Sequence, residues 1–167
     1  MHIRHATDAD WPGLWAIIEP VFRAGETYAI ATDIDAAAAR RYWVGQPAAT
    51  FVVVDGDGLL LGSYFIKANQ PGPGDHVCNC GYIVAETARG RGVAGALCEH
   101  SQAEAVRRGF TAMQYNCVVA SNAGAIRLWQ KLGFAIVGTL PGAFRHPREG
   151  HVDAHVLYKT LAAPRHE

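Results

Sequence analysis

The sequence has no surplus of either charge: 15 Lys and Arg are balanced by 15 Asp and Glu over 167 residues. That absence argues against broad electrostatic binding to nucleic acid or to an anionic membrane surface, while leaving room for a local basic pocket. There is no apolar run long enough to span a bilayer. Met1-His2-Ile3-Arg4 leads into fold-like sequence without a signal-peptide core, so a cytosolic protein is expected. Cys-x-x-Cys pairs are missing too. The four cysteines, Cys78, Cys80, Cys98 and Cys117, are expected as reduced, mostly buried thiols rather than zinc ligands. Nor are His146, His151 and His155 spaced as a metal set, so no metal is expected. Without repeats or an internal linker, residues 1–167 are expected to form one domain, with Ala162–Glu167 as a frayed tail.

What is present is a sequence of alternating strand and helix signals. His2–Thr7 reads as a strand. Thr7 or Asp8 can cap a helix to about Phe22, with Pro12 in its first turn and Pro20 as a stop or kink. Asp33 or Asp35 can cap a second helix over Ala36–Trp43. Thr50–Val54 and Leu59–Lys67 flank an Asp55-Gly56-Asp57-Gly58 hairpin. His76–Val84 is a strand, Gly92–Arg108 a helix, Thr111–Val119 a strand. A short helix capped by Ser121 or Asn122 ends at Leu132-Gly133. Phe134–Thr139 and Val152–Lys159 are strands, with Pro141–Gly150 expected as a loop between them. The order predicts an α/β domain with a mixed, mostly antiparallel sheet of about six or seven strands flanked by about four helices.

The strongest chemical signal is Arg89-Gly90-Arg91-Gly92-Val93-Ala94-Gly95 at the junction of strand and helix. N–H groups at a helix start are unpaired and sit at the positive end of the helix dipole, a ready anion site. Gly90 and Gly92 let the backbone close on a diphosphate, and Arg89 and Arg91 add charged donors. A Walker A loop is excluded because no Gly-Lys-Ser/Thr follows. Gly90-x-Gly92-x-x-Gly95 satisfies the bare dinucleotide pattern, but no acid ends the next strand.

The form Arg89-x-x-Gly92-x-Ala94 after a strand resembles the coenzyme A loop of the GCN5-related N-acetyltransferases. Further on, Asn122, Ala125, Leu128, Gly133 and Phe134 fall in register with that family's second signature, and the resemblance covers nearly the whole chain. It implies the acetyltransferase fold and acetyl-CoA as co-substrate, bound by Arg89 to Gly95. Ile83 and Val84 would supply backbone donors to the thioester, and Asn122 would contact the pantetheine arm as well as capping its helix. The resemblance alone suggests a homodimer. One position departs: Trp129 stands where many members carry a tyrosine that protonates the leaving thiolate. An indole N–H is a donor but not a useful acid. Members that acetylate small amino acids or proline analogues look similar here, which makes Asn116 a candidate substrate contact.

Acetyl transfer requires a held thioester, a polarised carbonyl, a neutral amine and a tolerated thiolate. No carboxylate occurs in His76–Tyr82, where the family often carries one. Glu26 and His76 are the candidate bases, each with a blander alternative as a solvated loop residue or a strand end. Tyr82 and Tyr115 are the phenols near the expected site, Tyr115 a candidate acid. Tyr28, Phe65, Phe144 and Tyr158 can shape an acceptor pocket, and Arg145 can pair with a substrate carboxylate. The leading expectation is acetylation of a small-molecule amine by direct attack. Acetylation of a protein N-terminus or lysine, and a catalytically silent acyl-CoA-binding module, are the alternatives.

Overall fold

The structure, a computed structural model, describes residues 1–161, so the expected tail lies outside the described residues. Seven strands form one sheet in the order β1-β2-β3-β4-β5-β7-β6. They are β1 His2–His5, β2 Ala49–Val54, β3 Leu60–Ala68, β4 Val77–Val84, β5 Ala112–Val119, β6 Ala135–His146 and β7 Gly150–Thr160. Neighbours run antiparallel except β4 and β5, which are parallel. The helices are α1 Trp11–Ala24, α2 Ala36–Arg40, α3 Val93–Arg107 and α4 Ala123–Lys131.

The sheet buries both faces, in two cores. On one face Leu14, Ile18 and Phe22 of α1 and Ala39 and Trp43 of the α2 region pack on Val52, Phe65 and Ile83. Those α1 positions recur every four residues, so they form one stripe; each large side chain buried there contributes about 1.5–3 kcal/mol. On the other face Val93, Leu97, Cys98 and Ala105 of α3 and Trp129 of α4 cover Tyr64, Ile66, Cys78, Cys80, Met113, Tyr115 and Leu157.

The chain enters α1 through a capping box in which the Asp10 carboxylate accepts from Thr7 N–H at 2.7 Å while Arg4 binds it with both terminal nitrogens at 2.8 Å. Pro20 does not end the helix, contrary to the sequence expectation. It sits on the solvent side, where the Ala16 carbonyl it leaves unpaired faces water, and α1 continues to Ala24 and a left-handed Gly25 at φ +64°. After Arg40, α2 widens into a π turn over Arg41–Gly45.

The expected loop Pro141–Gly150 is mostly strand. β6 runs from Ala135 to His146, and its pairing with β7 slips between Ile136 and Gly138 and again between Leu140 and Phe144. Pro141 and Gly142 fall inside the second slip, on an edge strand where a missing N–H breaks no ladder bond.

Candidate active site

β4 and β5 begin together and then part. Only Val77–Ala112 and Cys78–Met113 are in register; beyond them the strands diverge, and β5 is irregular between Tyr115 and Val118. Asn79 spans the start of the opening, its Nδ2 donating to the Gln114 carbonyl at 2.9 Å. Against β3, in contrast, β4 keeps continuous register from Cys78 to Val84.

That pairing decides which β4 donors face the gap. Asn69 N–H donates to Val77 C=O and Ala85 N–H to Leu61 C=O, both at 2.8 Å, so odd-numbered residues bond to β3. Even-numbered ones, Cys80, Tyr82 and Val84, turn their backbone toward β5, which has moved away. Val84 therefore presents its N–H to the gap as expected. Ile83 does not: its backbone belongs to the β3 ladder and its side chain is buried in the α1 core. Tyr82, overlooked as a backbone donor in the sequence, takes its place; the β-strand alternation held that signal.

At the gap's end the chain passes a short turn over Glu86–Ala88 and enters α3. Gly90 and Gly92 lie at φ +75° and +77°, a region costly to any residue with a Cβ. A Cβ at either would meet no protein atom within 4 Å, so packing does not require glycine there; backbone shape and open space above it do. Arg91 N–H is used by the Ala88 carbonyl, but the N–H groups of Gly90, Gly92, Val93, Ala94 and Gly95 find no backbone acceptor among the described residues. α3 has no side-chain cap either. Arg89 and Arg91 are exposed and outside every ion pair among the described residues. Unpaired donors, free arginines and empty space fit a diphosphate. These residues and the gap beside them would hold coenzyme A, its pantetheine arm lying along the donors of Tyr82 and Val84. Asn122 caps α4, its Oδ1 accepting from Ala125 N–H at 3.4 Å.

The opposite face of β4 carries Asn79, Gly81 and Ile83. Gly81 lies under an aromatic roof: a Cβ there would fall 2.5 Å from Phe65 Cε1 and 3.2 Å from Tyr28 Oη. Tyr28 Oη donates to Tyr82 C=O at 2.7 Å, and burial, then neighbouring Tyr42, pushes its acidity well below that of a free phenol. A cleft of about 230 Å³ opens here between the α1–α2 loop and the β6–β7 hairpin, lined by Tyr28, Ile30, Thr32, Phe144 and Arg145 among others. A larger concavity, about 570 Å³, lies between α1 and α2 and holds none of the loop or gap residues. The hairpin is tied to the loop by an ion pair of Arg148 with Glu26. Its turn is fixed by buried His146, whose Nδ1 accepts from Arg148 and Glu149 N–H at 3.3 and 3.2 Å. Toward the start of β4, Asn116 Nδ2 donates to Asn69 Oδ1 at 2.7 Å, and Gln114 Nε2 to Asn116 Oδ1 at 3.0 Å. Lys67 Nζ sits over the Tyr42 and Phe65 rings at 5.7 and 5.6 Å without an ion-pair partner among the described residues.

Of the expected catalytic residues, the structure places only Glu26 beside this cleft; Asn116 is exposed and bonded to Asn69, opposite Val77 near the start of β4. His76 precedes the far end of β4, about 26 Å along the strand from Val84 at about 3.3 Å per residue. Tyr115 is buried on the α3 side, its ring stacked on Phe134 and its acidity depressed by burial. Glu26 is engaged by Arg148. Cys78, Cys80 and Cys98 are buried, and Cys117 is half-buried with its thiol pushed up by burial, so none is an activated nucleophile. No group of three metal-ligating side chains occurs among the described residues.

The acetyltransferase (GNAT) family model matches residues 11–134. A GCN5-related N-acetyltransferase from Kribbella flavida is 45% identical and superposes with a TM-score of 0.91 over 96% of this chain and 97% of that one. N-acetyltransferase aca1 of Schizosaccharomyces pombe is 38% identical over 104 residues, 62% of this chain and 50% of that protein, so the match spans half the length of that curated relative. A phosphinothricin acetyltransferase from Sinorhizobium meliloti, solved in complex with acetyl-CoA, is 20% identical and shares the fold, with a TM-score of 0.84 over 99% of this chain and 91% of that one. By its matched model and its full-length likeness to the Kribbella protein, the chain belongs to the acetyltransferase (GNAT) family.

Proposed function

We propose that the protein transfers an acetyl group from acetyl-CoA to the amine of a small, carboxylate-bearing molecule, an amino acid or proline analogue, by direct attack in a ternary complex. The observation that carries this reading is the cleft of about 230 Å³ between the α1–α2 loop and the β6–β7 hairpin, beside the β4–β5 gap. It suits a small acceptor better than a peptide, because the Glu26–Arg148 pair draws its two walls together. Arg145 and Lys67 are unpaired cations on this side, matched to a carboxylate.

Acetyl-CoA supplies an activated thioester. The loop Arg89–Gly95 holds the diphosphate. Tyr82 N–H and Val84 N–H face the gap, where one backbone donor at a developing oxyanion is worth about 3 kcal/mol. No free carboxylate or imidazole lines the cleft among the described residues, so the amine enters neutral and, once its nitrogen has bonded to the acetyl carbon, gives up its excess proton to water while CoA leaves as thiolate. A thiol of ordinary pKa, about 8.5, needs no dedicated acid, which suits Trp129 at the tyrosine position. Four free cysteines suit a reducing compartment such as the cytosol. No described helix is long and apolar enough to cross a membrane.

The homodimer reading rests on β6. Ala135–Ala143 are nine consecutive exposed residues without an ionisable side chain, on the sheet edge, and include Ile136, Val137 and Leu140. An apolar edge without charge favours pairing between copies, even with Pro141 and the two register slips blunting part of it. Light scattering of the wild type and Val137→Lys tests it; a wild-type monomer discards it.

The deciding experiment is incubation with acetyl-CoA and a pooled panel of amino acids, proline analogues, polyamines, aminoglycosides and short peptides, read by mass spectrometry. An acetylated amino acid or analogue is expected. Products confined to peptides would replace the small-molecule reading with protein acetylation. Bound acetyl-CoA with no product from the panel would leave the silent acyl-CoA module.

A further inference from the structure

Where β4 and β5 lose their backbone ladder, a ring of hydroxyls joins them on the α3 side. Ser101 Oγ donates to the Cys98 carbonyl at 2.8 Å, which uses its only proton. The Tyr82 hydroxyl, 2.7 Å from Ser101 Oγ, must then be the donor in that contact. Its oxygen in turn accepts from Tyr115 Oη at 2.9 Å. Cys98 Sγ lies 3.5 Å from Tyr115 Oη, so the chain starts and ends on one residue of α3. Tyr82 and Tyr115 also meet edge to face at 5.8 Å, and both rings pack against Trp129.

This ring grips the one residue whose backbone matters most. Tyr82 turns its N–H and C=O toward the gap, its phenol is held by Tyr115 and Ser101 on one face of the sheet, and its carbonyl is held by Tyr28 on the other. We infer that Tyr115 and Ser101 are positioning residues, which act through the Tyr82 phenol to fix the Tyr82 N–H against the acetyl carbonyl. The inference rests on the proposed cofactor site, and it assigns Tyr115 a task other than acid.

The test uses Tyr115→Phe, Ser101→Ala and the double variant of the full chain; both single changes remove a hydroxyl and keep the packing volume. Calorimetry with acetyl-CoA and with free CoA is expected to show unchanged CoA affinity and a severalfold loss of the preference for the acetylated form. The double variant is expected to be no worse than either single one, because the ring acts as a unit. kcat is expected to fall about tenfold without a matching rise in the KM for acetyl-CoA. Loss of affinity for both ligands in parallel, additive losses, or an unchanged preference would overturn the inference and leave the ring a core feature. Wild-type protein that binds neither ligand would overturn the cofactor site itself, a result that the CoA titration reports independently of turnover.

Discussion

Tyr28, in the loop after α1, donates its hydroxyl to the carbonyl of Tyr82 at the lip of the β4–β5 gap, 2.7 Å away. The contact couples the α1 side of the sheet to the strand whose backbone faces the gap. Tyr28→Phe keeps the ring over Gly81 and removes only the donor. Stability should fall by about 1 kcal/mol, as for a single neutral hydrogen bond. kcat/KM should fall about tenfold, more than the stability loss explains, because the Tyr82 peptide is freed. Thermal melts and steady-state rates check it; equal activity in both proteins would confine Tyr28 to packing.

Gly92→Glu should abolish acetyl-CoA binding. The substitution forces a side chain into a left-handed position at a cost of about 1–2 kcal/mol and sets a carboxylate where the diphosphate belongs. The Cβ itself meets open space, so the fold should survive. Calorimetry on folded variant is the check, and unchanged affinity would sink the loop assignment.

Glu26→Gln separates a wall from a base. As the partner of Arg148 it closes the cleft, and a partly exposed pair is worth up to about 1 kcal/mol. The acceptor KM should rise up to about fivefold, matching that energy, while kcat holds. A collapse of kcat by a hundredfold or more would restore Glu26 as the base.

Asp10→Asn should destabilise the protein in a pH-dependent way. The Arg4 guanidinium, aided by Thr7, holds the Asp10 carboxyl well below the usual carboxylate range. A depressed folded pKa means that the folded state binds fewer protons. The contribution is whole above the unfolded value of about 3.9 and is lost as pH falls through the lower folded value. The stability gap between wild type and variant should therefore be full at pH 7 and shrink progressively below about pH 4. Denaturant melts across that range measure it, and a gap independent of pH would refute the assignment.

The anion-binding character of Arg89–Gly95 is legible because its chemistry is local: glycines, arginines and a helix start lie within seven consecutive residues. The seven-stranded sheet followed from strand and turn signals of the same short range. What escaped was set by pairing. Pro141 and Gly142 read as a loop because a turn and a bulged edge strand use the same residues. The sequence offers Ile83 with Val84 as donors, because only the β3 register reveals that Tyr82 and Val84 are the ones whose backbone faces the gap. Tyr115 looked like an accessible acid until its partners Tyr82 and Phe134 were seen to bury it. Glu26 looked free because Arg148, far along the chain, was invisible as its neighbour.

The alternation along β4 has an evolutionary consequence. Cys80, Tyr82 and Val84 send side chains into the α3 core and backbone into the gap, whereas Asn79 and Ile83 point toward the α1 side, where Gly81 leaves room for Phe65 and Tyr28. On the proposed function, acceptor preference and thioester chemistry would thus fall to opposite sides of one strand, and drift in the facing hairpin could retarget the enzyme while its reaction stays intact. A lineage built on such a strand could diversify its substrates without disturbing the residues that hold the thioester.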